Sequence, residues 1–421
     1  MQEKSMRWLG VITLFAIVAI SYVDRINIAV LITDPAFLGQ IGIDKGDRVS
    51  QGMLATAFMV GYGVSSIVLT PFFAAVLGVR RSLLVGLLLW GAATFISPVF
   101  HSYGLLLASR FALGMAEGPV FALAGAYVKA HFANHENGKP NSFVNMGTGL
   151  GLAIGYPLVG YLMAVHGWDT SFYALGALNI LLGVPLVLAF VRMPAQVNNA
   201  SQAWASGTSV RAIVRGALQT RHLLLITVMT AAFLSYLWGS SNWLPSYLKV
   251  ARGFSIRDMG WLASLPQYAT VLAVLIGGVV IDRLPRSKVP LMFVACSAGV
   301  ALSVWTAIQA ADPYAATYAL IAANFFWGLM SPAYPSTAQY LAKTEHIASA
   351  YGVINGVGSL VAGFMPTLMG GVIASASTPR MGFLLGFGTL IGTQLVVLVC
   401  GLMLYLSERD SSALVGAART H

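Results

Sequence analysis

Charged residues are scarce in this 421-residue chain: Asp, Glu, Lys and Arg together make up 9% of it, where soluble domains carry about a quarter. A sequence that is 57% apolar, with a mean hydropathy of +0.77, has lipid for its solvent. Only two cysteines occur, Cys296 and Cys400. Both fall inside apolar runs, which excludes a disulfide framework and leaves the redox compartment undetermined. The ten-residue alternation of outer-membrane barrel strands is missing as well. None of the seven histidines, His101, His131, His135, His166, His222, His346 and His421, lies deep in an apolar run. A buried Ser-His dyad or a His-x-x-x-His metal site therefore cannot be assembled, and an intramembrane enzyme is a poor rival reading. No metal and no cofactor is implied.

What is present is a series of apolar stretches, each long enough to cross a hydrocarbon core of about 30 Å as a helix. They predict spans at residues 8–32, 50–77, 83–100, 104–128, 143–165, 171–191, 223–250, 259–281, 289–310, 314–341, 350–374 and 381–406. The predicted fold is an all-α membrane protein of twelve transmembrane helices in two six-helix halves, residues 1–193 and 222–421, joined by a polar linker at 194–221. The first span is too long for a signal-peptide core, and Ser21, Asp24, Arg25 and Asn27 interrupt it with no cleavage pattern after it, so it is expected to stay as structure.

Lys and Arg counted loop by loop set the expected orientation. With the N-terminus inside, 16 of the 24 fall on the cytoplasmic side, 6 on the other, and Arg25 and Arg110 lie within spans. Both termini are thus expected in the cytoplasm, with the protein in a bacterial inner membrane. The net charge of +10 is mostly this bias and implies no nucleic-acid partner. Single cysteines at His101 and at Ser206, in a background lacking Cys296 and Cys400, are expected to label from opposite sides of the membrane. Labelling of both by an impermeant reagent applied outside would contradict the orientation.

The two halves carry matching features, the sign of an internal repeat. Asn145-Met146-Gly147-Thr148-Gly149-Leu150-Gly151 with Pro157 in span five corresponds to Asn355-Gly356-Val357-Gly358-Ser359 with Gly363 and Pro366 in span eleven. Gly277-Gly278-Val279-Val280-Ile281-Asp282-Arg283 after span eight corresponds to the weaker Leu77-Gly78-Val79-Arg80-Arg81 after span two. The second loop resembles the Gly-x-x-x-Asp-Arg signature of major facilitator transporters, which implies gating roles for Asp282 and Arg283. The first copy has Ala75 where the signature has its aspartate. In such repeat transporters the substrate binds near the bilayer midplane.

Of the 14 carboxylates only Asp24 and Glu117 are deep in spans. A central charge costs about 2.5–3.5 kcal/mol on insertion scales, so such residues usually face a bundle interior or a water-filled path. Counting about 1.5 Å per residue along the spans puts Asp24 and Arg110 at one depth, and the seven-residue spacing of Arg110 and Glu117 puts both on one helix face. A buried scaffold of four charges is the bland alternative, but buried pairs are rarely a gain over apolar packing. Arg25 offers a planar fork of donors fitted to a carboxylate. With both acids ionised the cluster is neutral, and an entering monocarboxylate adds one negative charge that a proton cancels. Proton–anion symport is the simplest reading. Exchange or facilitated diffusion of the anion, a channel, and a transporter-like sensor remain as alternatives.

Three motifs, Ser21-Tyr22-Val23-Asp24-Arg25-Ile26-Asn27, Arg110 with Glu117-Gly118-Pro119, and His131-Phe132-Ala133-Asn134-His135-Glu136, resemble the anion:cation symporter family of the major facilitator superfamily. That family includes bacterial galactonate, glucarate and hexuronate carriers, phthalate-type permeases, and animal sialic-acid and vesicular glutamate carriers. The resemblance implies proton coupling at Asp24 and Glu117, a contact between Arg25 and the substrate carboxylate, and pairing of Arg110 with Asp24. It implies further that Tyr22, Tyr62 and Asn355 line the substrate site. Thr148 stands where sugar-acid carriers have a glutamine and Tyr334 where they have a tryptophan. The implied partner is therefore a small anionic carboxylate, with a sugar acid as the leading option beside aromatic, dicarboxylic or phosphonate anions. The proton would be the coupling ion, the lipid bilayer the other partner, and the working unit a monomer.

Overall fold

A computed structural model describes residues 2–132, 138–193, 222–334, 337 and 347–418. The linker predicted at 194–221 lies outside them. Each of the twelve predicted spans corresponds to helix in its described residues; residues 335, 336 and 338–341 of span ten lie outside them. Span one is α1 (Gln2–Leu31), followed by the short α2 (Pro35–Gln40). Span two is α3 (Arg48–Val76) and span three α4 (Gly78–Ile96). Span four divides into α5 (Tyr103–Glu117) and α6 (Val120–His131). Span five is α7 (Gly138–His166), and span six is α8 (Trp168–Leu178), a π turn (Asn179–Gly183) and α9 (Val184–Phe190). In the second half come α10 (Leu223–Ser246) with a π turn (Tyr247–Ala251), α11 (Ile256–Arg283), α12 (Pro290–Gln309), α13 (Pro313–Met330), α14 (Ile347–Gly363), α15 (Met365–Ala374) and α16 (Pro379–Ala418). In lipid every backbone donor and acceptor must be satisfied within the segment, which is why the described parts of the spans are helical.

By length and hydropathy ten of the described helical segments can cross a membrane. Their outer faces carry large apolar side chains such as Leu181, Leu224, Leu302 and Leu368, each exposed. Such a surface fits hydrocarbon and not water. The chain is a multi-pass membrane protein.

Loop carboxylates and hydroxyls do local work at helix starts. Asp34 accepts from Ala36 N at 2.9 Å ahead of α2, Ser102 accepts from Leu105 N at 3.3 Å ahead of α5, and Asp312 accepts from Ala315 N at 2.7 Å ahead of α13. Each satisfies a backbone donor that the first turn leaves unpaired. In α2 and α13 proline follows the cap, where its missing N–H costs nothing.

The chain forms two compact units. The first comprises Met1–Thr208 with Ser241–Ser264 and Gly363–Gly382; the second comprises Ser209–Ser240, Leu265–Ala362 and Phe383–His421. The first unit thus takes in segments of helices that the sequence assigns to the second half. Trp243 donates its indole N–H to Pro366 O at 2.8 Å, Thr56 and Thr367 share a 2.8 Å hydroxyl contact, and Lys249 donates to Thr33 O at 2.7 Å. Tyr156, fully buried, donates to Ser241 O at 2.8 Å. These contacts tie those segments into the unit.

In the second unit Phe233 stacks on Trp327 with centroids 4.5 Å apart and on Tyr334 at 6.1 Å. Asn324 donates to the Tyr236 hydroxyl at 3.2 Å.

Candidate functional site

The deep charges of the first half meet where α1, α3 and α5 pack. The cause is local. Gly114 of α5 lies so close to α3 that a Cβ there would come 2.0 Å from Phe58 O, and on α7 a Cβ at Gly151 would come 2.3 Å from Ala19 O and 2.8 Å from the Tyr22 Cβ. Small residues at these points let backbones approach and leave the long side chains of Tyr22, Arg25, Phe58 and Tyr62 to fill the space between.

Span four breaks just after Glu117. Pro119 has no N–H to give to the carbonyl of Met115, four residues back. The Ser65 hydroxyl of α3 donates to that carbonyl instead, at 2.5 Å, and the Ser66 hydroxyl donates to Gly118 O at 3.0 Å. The break is thus satisfied by a neighbouring helix, as lipid-embedded proline requires. Glu117 is the last residue of α5, at the point where the helix gives way.

Glu117 is completely buried. Its Oε2 accepts from Arg25 Nε at 3.0 Å and from the Ser21 hydroxyl at 2.7 Å. Its Oε1 has no hydrogen-bond partner among the described residues. The Arg25 guanidinium lies 4.3 Å from the ring centroid of Tyr22, 4.6 Å from that of Tyr62 and 5.2 Å from that of Phe58. Arginine stacks well on aromatic faces, so the cation is held in a box of three rings. Phe58 and Tyr62 stack on each other at 6.2 Å, and Tyr22 meets Phe121 edge-on at 6.3 Å.

Asp24 departs from expectation. Its Oδ2 accepts from Asn179 Nδ2 at 2.6 Å, and it makes no ion pair with Arg110. Arg110, also buried, lies over the Phe58 ring at 5.0 Å. The reason lies in span six, where the α-helix loosens into a π turn beginning at Asn179. A π turn adds a residue to the helical circuit and is frequent at functional positions. Gly91 of α4 makes room for it, since a Cβ there would come 2.7 Å from Ile180 Cγ1 and 3.2 Å from Asn179 Cβ.

The structure therefore brings Tyr22, Asp24, Arg25, Tyr62, Arg110 and Glu117 into one buried cluster and adds Ser21, Phe58 and Asn179. The signal for Asn179 was present as a lone amide in an apolar span. Phe58 had none, because an aromatic in a membrane helix is unremarkable until a cation is seen against it. Thr148 lies on α7, one turn before Gly151, and donates to Asn145 O at 2.8 Å. Tyr334 and Asn355 lie in the second unit: Tyr334 buried against Phe233, Asn355 half-buried on α14. Arg283 ends α11 and is exposed, and the Asp282 side chain lies outside the described ones. Among the described residues no group of three or more His, Cys, Asp or Glu is placed to hold a metal.

The major facilitator superfamily pattern matches residues 14–366. A probable sulfoacetate transporter of Cupriavidus necator is 31% identical over 293 residues, 66% of this chain and 64% of its own length. The hexuronate transporter of Bacillus subtilis is 23% identical over 92% of this chain and 93% of its own length. The D-galactonate transporter of Escherichia coli is 25% identical over 86% of this chain and 88% of its own length. Among solved structures, the crystal structure of a D-xylose–proton symporter superposes with a TM-score of 0.72 at 13% identity, covering 94% of this chain and 96% of that one, which shows the fold alone. These relatives are named as transporters, which sets the intramembrane-enzyme reading aside. With a superfamily match over most of its length and twelve helical spans, the chain belongs to the major facilitator superfamily, beside that family's carriers of sulfonate and sugar-acid anions.

Proposed function

We propose that the protein is a proton-coupled symporter of a small organic anion, working by alternating access in a bacterial inner membrane with both termini in the cytoplasm. The single observation that supports this most is the Arg25–Glu117 pair. In it the cation fitted to a substrate carboxylate is held by an acid that can be switched off.

Protonation of Glu117 removes the negative partner from Arg25, and the guanidinium turns its charge to the incoming anion. Oε1, which has no hydrogen-bond partner among the described residues, is where that proton sits. Anion binding and proton binding then favour one another, because each relieves what the other would leave as an unbalanced buried charge. A site of this kind loads both ligands or neither, which is what symport demands.

The relatives are named for sulfoacetate, galactarate and D-glucarate, L- and D-galactonate, and hexuronate. The substrate proposed here is accordingly a small carboxylate with further oxygen substituents, a sugar acid first, and the protein acts as a monomer.

The experiment is uptake into proteoliposomes under an imposed proton gradient, with labelled galactonate, galactarate and sulfoacetate offered in turn. One of these should accumulate above its external concentration, and a protonophore should abolish the excess. A channel or facilitator would only equilibrate the anion, and a sensor would move none.

A further inference from the structure

Asn179 has a role that the sequence motifs do not assign. Its Nδ2 donates both to Asp24 Oδ2 at 2.6 Å and to Leu175 O at 3.0 Å. Both partners are acceptors, so the amide orientation is fixed: turned over, it would point oxygen at two oxygens. That leaves Asn179 Oδ1 and Asp24 Oδ1, both buried and both without a hydrogen-bond partner among the described residues. One is a bare carbonyl acceptor. The other is the carboxylate oxygen that a proton would occupy.

We propose that Asn179 is a positioning residue for proton exchange at Asp24, a second site beside Glu117, and that its amide serves both protonation states of that carboxyl. In the ionised state Nδ2–H holds Oδ2. When a proton arrives, an O–H bond forms at Asp24 Oδ1 and donates to Asn179 Oδ1, closing an eight-membered acid–amide ring of two hydrogen bonds. On release the O–H bond breaks, the proton leaves, and the Nδ2–Oδ2 bond remains. No electrons move. A cationic partner would stabilise only the charged form, whereas an amide holds the carboxyl in place through the cycle without fixing its charge. The inference rests on the proton-coupled reading above.

The charges around Asp24 are few. Arg25 follows it on α1, and Arg110 and Glu117 stand on α5. The other charged groups on helices packed against α1 (Arg48, Lys129, His131, Lys139, His166 and Asp169) stand at or near helix ends, and the remaining titratable groups there are the phenols Tyr62, Tyr127, Tyr156, Tyr161 and Tyr173, with Tyr22 on α1 itself. α4 and α9 bring none to this depth. The neutral amide is therefore the only hydrogen-bond partner that Asp24 has among the described residues.

Infrared difference spectra of the purified full-length protein in nanodiscs, taken across a pH step, test this. The wild type should show a protonated-carboxyl C=O band that Asp24→Asn removes. In Asn179→Leu, close in size but with no polar atoms, that band should move to higher frequency, the mark of a carboxylic acid that no longer donates, and proton-driven accumulation should fall. Should Asn179→Leu not fold, Asn179→Ser, too short to meet both carboxyl oxygens, carries the same expectation. A band unchanged in frequency, or an unaltered pH profile of uptake, overturns the role of Asn179. If wild-type uptake is itself insensitive to a protonophore, the coupling reading fails instead, and the band still reports whether the acid–amide pair exists.

Discussion

Arg25→Lys is expected to weaken anion binding by more than about tenfold, about 1.4 kcal/mol, while the protein still inserts and folds. The charge survives this change, so any loss reports geometry. The Arg25 guanidinium faces three rings at 4.3–5.2 Å and meets Glu117 through Nε at 3.0 Å. Its central carbon lies over Tyr22, Phe58 and Tyr62, and its N–H groups are the donors. An ammonium is a point charge with neither plane nor fork, and it is more strongly hydrated. Held in the same box, it loses the planar contact with the rings and cannot present two parallel donors to the two oxygens of a carboxylate. Isothermal titration of the detergent-solubilised variant with the transported anion reads the change directly. An affinity within about threefold of wild type, well short of the tenfold step, would place the anion's main contact elsewhere.

Glu117→Gln is expected to abolish proton-driven accumulation while exchange of labelled for unlabelled anion across the membrane survives. The amide mimics the protonated acid, so Arg25 loses the negative charge of Glu117 and the cluster carries an extra positive charge. The anion should bind at least as well as in the wild type. Its carrier form can still open to either side, but it has no coupling proton to release at this position. Concentrative uptake and counterflow, measured on one preparation of proteoliposomes, separate the two activities. Normal accumulation against a gradient would remove Glu117 from the coupling step.

Asp24→Asn is expected to be more damaging than Glu117→Gln, although not by freeing Arg110, since Asp24 is held by Asn179. It sets an amide against an amide in a buried site, where one oriented pair has to be remade.

Much of the fold is legible in the sequence because the bilayer imposes one length and one structure on every span. The cluster of Asp24, Arg25, Arg110 and Glu117 is legible for a related reason: a charge in a membrane helix is expensive, so its presence announces a use. The partners of those charges are less legible. Equal depth along the membrane placed Asp24 with Arg110, but depth says nothing about rotation around the bundle axis, and the π turn at Asn179 brings a side chain from span six to Asp24. No 3.6-residue period announces such a turn. The break after Glu117 is readable from Pro119, whereas the two serines that repair it on α3 are not, because hydroxyls in membrane helices usually bond back to their own carbonyls, as Thr230 and Ser235 do here. The joining of second-half segments to the first unit is hidden for a third reason. It rests on pairs such as Tyr156 with Ser241 and Trp243 with Pro366, residues 85 and 123 positions apart in the chain, and neither member of a pair is unusual alone.

The proposed coupling joins anion binding to proton binding at Arg25 and Glu117. Calorimetric titration of the transported anion in buffers of different ionisation enthalpy measures the protons taken up as it binds. For that coupling, net proton uptake is expected of the wild type near neutral pH, and smaller uptake of Glu117→Gln, with an affinity that depends less on pH. An anion that binds the wild type without proton uptake, or a Glu117→Gln protein that takes up protons like the wild type, would contradict it.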